Sequence, residues 1–176
     1  MKRIALLFIL SCLVMPMAAQ TDSIGIYAVR GSSLDRVNAL NSSQTKITAG
    51  KAKLVFAGAT SQNRFTNTAT FRLYFGTPSP YDVAKYYMFT PAYSASDFSI
   101  GEFRVKNSCR YLTTVSISIF GGRIGANEAE NLSVRSVKLR DNVYEITVTG
   151  PAGEYCIMPV INGTAGYAGV FDFTIE

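Results

Sequence analysis

Apolar and polar residues alternate in short runs through most of the chain, and Gly, Pro, Asn and Ser separate the runs. A period of two places one flank of each segment in a shared interior and the other in water, the pattern of a half-buried strand. No stretch after residue 20 holds apolar residues at i, i+3, i+4 and i+7 over three turns, so no long amphipathic helix is expected. The predicted strands are Ser23 to Arg30, Asp35 to Leu40, Lys51 to Ala57, Thr68 to Phe75, Phe98 to Lys106, Arg110 to Phe120, Ser133 to Arg140, Val143 to Thr149, Glu154 to Val160 and Gly169 to Ile175. The clearest hairpin turns at Asp141-Asn142, with Val137, Leu139, Tyr144, Ile146 and Val148 expected on one face.

About ten short strands at hairpin spacing predict an all-β fold, a two-sheet antiparallel sandwich of immunoglobulin-like type, with a closed barrel as the alternative. No repeat or linker divides residues 21–176, which read as one domain. The longest stretch without alternation, Gly76 to Ser96, holds Tyr81, Tyr86, Tyr87, Phe89 and Tyr93. A loop of that length is usually functional or packed by its own side chains. Tyrosines there can stack on sugar rings or anchor a protein, or fold back over the end of a sandwich.

Composition changes the picture at one point above all: the chain has no histidine. That excludes Ser-His-Asp and Cys-His nucleophilic pairs, histidine metal sites and imidazole general bases. No cofactor and no metal site is expected. Among carboxylates, Glu128 and Glu130 are the one pair that a glycosidase-like reading can name, but their polar setting lacks the burial that raises a catalytic pKa. Gly121-Gly122-Arg123-Ile124-Gly125 lacks the Lys-Ser/Thr of a phosphate loop and reads as a loose hairpin connection.

Residues 1–20 read as a secretory signal: Lys2 and Arg3, an apolar run from Ile4 to Val14, then Met17, Ala18 and Ala19 before a cut near Gln20. The run is shorter than the roughly 20 residues that span a bilayer, so a secreted or periplasmic chain with no transmembrane segment is expected. Ile9-Leu10-Ser11-Cys12 offers a lipoprotein alternative through Cys12. Loss of Lys2 and Arg3 lowers the formal net charge from +5 to +3, too mild a bias for a nucleic-acid partner.

The basic residues Arg104, Lys106 and Arg110, then Arg135, Lys138 and Arg140, decorate predicted strands. They read as solvated face and edge charges, or as a shallow cationic surface for anionic glycans with salt-sensitive binding. Cys109 and Cys156 remain after cleavage, in an oxidising compartment. A disulfide between them is expected, worth about 4 kcal/mol on chain-entropy grounds, against the alternative of two buried thiols. Ser23, in Asp22-Ser23-Ile24, matches a bacterial O-glycosylation pattern, and Asn41, Asn131 and Asn162 match N-x-S/T.

Pro151-Ala152-Gly153-Glu154-Tyr155-Cys156, followed by Val170-Phe171-Asp172-Phe173, resembles the P-G-E-Y and F/Y-D-F-G strands of exported, largely uncharacterised β-sandwich proteins of Gram-negative bacteria. Ser96-Asp97-Phe98-Ser99 and the basic turn from Lys106 to Leu112 look like that family's S-P-x-D-F strand and the turn after it. The chain departs from the pattern at Ala152, Cys156 and Thr174. The resemblance implies a sandwich and an exported address, and no reaction. The resulting expectation is a secreted, non-enzymatic module at the cell envelope that binds a protein or glycan through the Tyr81 to Tyr93 segment. The alternatives are a carboxylate-only hydrolase and a structural component of a surface assembly.

Overall fold

A computed structural model describes residues 25–48, 50–75, 98–118, 121–124, 129, 131–159 and 169–176. Its strands are β1 (Gly25–Arg30), β2 (Ser33–Val37), β3 (Gln44–Thr48), β4 (Lys51–Ala57), β5 (Arg64–Phe65), β6 (Thr68–Tyr74), β7 (Phe98–Glu102), β8 (Arg104–Lys106), β9 (Cys109–Ser118), β10 (Gly121–Ile124), β11 (Ser133–Arg140), β12 (Val143–Thr149), β13 (Gly153–Pro159) and β14 (Phe171–Ile175). They form three sheets. A front sheet runs β11-β12-β6-β1-β2, a central sheet β5-β14-β13-β7, and a back sheet β10-β9-β4-β3 with β8 also paired to β9. None closes on itself, so the architecture is the sandwich and not the barrel.

The third sheet goes beyond the expected pair of sheets, and the central strands explain how it fits. Along β13, Tyr155 and Ile157 face the front sheet, where they join Phe71, Leu73, Ile146 and Val148 in one apolar cluster. The intervening Cys156 and Met158 face the back sheet and pack with Phe56, Phe103 and Leu112. A strand covered on both flanks shows continuous burial in place of alternation, and Glu154 through Met158 are all buried. The neighbouring β14 supplies Phe173, whose ring lies 5.0 Å from Phe71 and 5.7 Å from Tyr155.

The β11–β12 hairpin forms as predicted, with Asn142 at φ 60° in the turn. Its facing differs from expectation. The register shifts between Lys138 and Arg140, so Val137 pairs with Glu145 rather than Ile146. A bulge inserts one residue, and with a period of two that sends Val137 to the opposite face. Val137 and Leu139 are exposed, as is every residue of the edge strand β11, while Ile146 and Val148 stay in the core.

The expected strand Phe98 to Lys106 breaks at Phe103, whose backbone N–H donates to the Glu154 carbonyl at 2.9 Å. Gly121 to Ile124, expected as a connection, pairs with β9 as a strand. β3 escaped the sequence reading because Gln44–Thr48 is exposed at every residue and carries no alternation.

Candidate functional site

Two charged constellations sit on opposite flanks of the back sheet. Along β9, Arg110, Leu112 and Thr114 point inward and are buried, while Cys109, Tyr111 and Thr113 point outward. The same strand therefore supplies the interior cluster and the outer face.

On the inner side, Arg110 forms a short charge-assisted hydrogen bond to Asp172 of β14 and lies 3.5 Å from Glu154 of β13. Its Nε donates to the Gly58 carbonyl at 3.2 Å, and its guanidinium lies 5.2 Å from the centre of the Phe103 ring. Glu154 accepts from the Ser61 backbone N–H at 2.8 Å and from the Thr174 hydroxyl at 2.7 Å. These groups are buried, and their donors and acceptors are used within the protein. Such a closed network ties the central sheet to the back sheet. It has no reach to solvent, and its geometry serves cohesion.

Arg110 corrects the sequence reading, which grouped it with surface cations. A readable signal was its place two residues before Leu112, on the face that Leu112 buries. Glu154 carried a signal too, since it stands in a strand that is apolar on both flanks, whereas Asp172 shares its flank of β14 with Thr174 and reads as a polar outer position.

The expected Cys109–Cys156 bridge is not formed; both thiols are free. Alternation is the reason. Cys109 faces outward beside Arg110, whereas Cys156 is enclosed between the central and back sheets, where its Sγ donates to the Gly101 carbonyl at 3.7 Å. Burial pushes the Cys156 thiol far above its ordinary value and Asp172 adds to this, against smaller opposing effects of the Gly101 hydrogen bond and Arg110.

The outer face carries a different chemistry. Strand register sets Lys46 opposite Lys53, Arg104 opposite Tyr111, Lys106 opposite Cys109 and Thr48 opposite Lys51. Lys46, Lys51, Lys53, Arg104 and Lys106 thus share one face with Tyr111, and Lys46 Nζ lies 5.5 Å from the centre of the tyrosine ring. Of the chain's 12 acidic residues, none lies on β3, β4, β8, β9 or β10. The front sheet differs, for three of its cations meet carboxylates. Arg72 meets Glu145 at 2.9 Å, Arg30 meets Asp35 at 3.1 Å, and Lys138 meets Asp141 at 2.7 Å.

Of the cationic residues expected on the surface, Arg104 and Lys106 belong to the back-sheet face, and Arg135, Lys138 and Arg140 lie on the fully exposed edge strand β11. Lys46, Lys51 and Lys53 were missed as site residues because nothing local links them to β8; only the β3–β4–β9–β8 pairing brings them together. Tyr81, Tyr86, Tyr87, Phe89, Tyr93, Glu128, Glu130 and Ser23 lie outside the described residues, as does the signal segment with Cys12. Among the described residues, no group of three acidic or cysteine side chains could hold a metal ion, and no helix is long and apolar enough to cross a membrane. No protein-family model, curated protein or solved structure matches the chain.

Proposed function

We propose that the chain is a secreted, non-enzymatic binding module of the cell envelope whose contact surface is the outer face of the back sheet, and that its ligand is polyanionic. The observation that carries this reading is the segregation of charge. Five cations share one face with no carboxylate on any strand of that sheet. Like charges held together repel one another and lower fold stability, so a site for an anion accounts for them better than solubility does. The mild excess of base over acid across the whole chain is then concentrated where it has an effect.

Electrostatic contact of this kind weakens with salt because the Debye length shrinks to about 8 Å at physiological ionic strength. Immobilised heparin is a suitable generic polyanion. The chain lacking residues 1–20 is expected to be retained on it at about 20 mM salt and released by a few hundred millimolar. Failure to be retained at low salt overturns the proposal.

A further inference from the structure

Resting on that reading, we infer that the ligand is an extended acidic polysaccharide and that Tyr111 is the platform on which one of its sugar rings stacks. Tyr111 stands near the middle of the cationic face. Arg104 flanks it on β8, Val55 is its partner on β4, and Lys53 lies two residues further along that strand. From Ala57 to Lys51 the face extends about 20 Å along the strand direction, at roughly 3.4 Å per residue. That is room for several sugar units in line, with cations on both sides of the central ring.

Lys46 sits over the ring, its Nζ 5.5 Å from the ring centre. It is exposed and carried on a flexible stem, so it can exchange the cation–π contact for a stronger charge-assisted hydrogen bond to a sugar carboxylate or sulfate. The exchange uncovers the ring and places the cation beside the acidic substituent. A tyrosine suits the role, having a broad apolar face for ring C–H groups and a polar tip for hydroxyls.

Other polyanions fit less well. Single-stranded nucleic acid is held by successive aromatic platforms, and among the described residues Tyr111 is the one aromatic on this face. An anionic bilayer calls for apolar side chains among the cations. The exposed Ile47 and Val105 alternate onto the other flank of their strands, in register with Ala52 and Arg110.

The absence of tryptophan makes the test direct. Tyr111→Trp gives the chain a single tryptophan, placed at the site, and its emission is expected to shift on addition of oligogalacturonate but not of neutral maltooligosaccharide. By titration calorimetry, Tyr111→Ala should weaken oligogalacturonate binding at least about fivefold, while Tyr111→Phe stays within about twofold. If Tyr111→Ala binds as the parent chain does, or if single-stranded DNA or phosphatidylglycerol vesicles bind more tightly than oligogalacturonate, the polysaccharide assignment is wrong while the polyanion reading stands. If oligogalacturonate, DNA, vesicles and heparin all fail to bind at low salt, both fall.

Discussion

Arg110 on β9 and Asp172 on β14 belong to different sheets, and their side chains meet in the seam between them. Asp172 is the register partner of Cys156, and Glu154 completes the group from the same strand as Cys156. The back sheet is therefore anchored to the sandwich by charge as well as by the packing of Phe56, Phe103 and Met158.

Removing the cation alone leaves two buried carboxylates without it. Arg110→Met is expected to cost about 3–5 kcal/mol, the usual penalty for breaking a buried pair from one side. Adding Asp172→Leu should recover part of that loss, because two apolar side chains can replace a buried ion pair at little cost. Urea unfolding of the single and double variants measures both. Equal destabilisation by each single change with no recovery in the double would contradict the tie.

The thiols should separate cleanly. In native protein an alkylating reagent is expected to label Cys109 and spare Cys156, with Cys156 labelled only after unfolding, as read by peptide mass spectrometry. Burial raises the Cys156 thiol above its ordinary value of 9.0, so the folded chain keeps a proton that the unfolded chain releases. Its contribution is complete below about pH 9 and is lost as pH climbs toward the folded value. Unfolding free energy should therefore fall with pH above 9, and less steeply in Cys156→Ala.

Gly153 is held by its neighbour. A Cβ there would lie 2.8 Å from the Tyr155 hydroxyl oxygen, and the ring cannot move aside easily. Tyr155 is buried against Phe173 and donates to the Pro151 carbonyl at 3.0 Å. Gly153→Ala is expected to cost about 1–3 kcal/mol through overpacking. A melting temperature unchanged from the parent chain would contradict that packing.

Alternation made the sandwich legible, including the placement of Tyr155 and Ile157 on one face against Phe173 from the adjacent strand. It could not reveal that the central strands have two covered flanks, since an apolar run reads alike whether one sheet or two lie against it. The β11 bulge was hidden because one extra residue leaves no local mark, yet it reverses Val137. The cationic face was half legible. Arg104 and Lys106 stood out as a pair, but Lys46 and Lys53 join them through pairings more than fifty residues apart in the chain. Arg110 was misplaced because a charge near two others looks like surface until the strand's facing is known.

Two basic surfaces could meet the ligand, since β11 also presents Arg135 and Lys138. The direct measurement is heparin affinity at about 50 mM salt for two charge-reversed variants, Lys53→Glu with Arg104→Glu on the back sheet, and Arg135→Glu with Lys138→Glu on the front. The first should lose at least about tenfold in affinity, with a shallower salt dependence, and the second should lose less than about threefold. Equal losses in the two variants, or a loss confined to the β11 variant, would contradict the assignment of the back-sheet face.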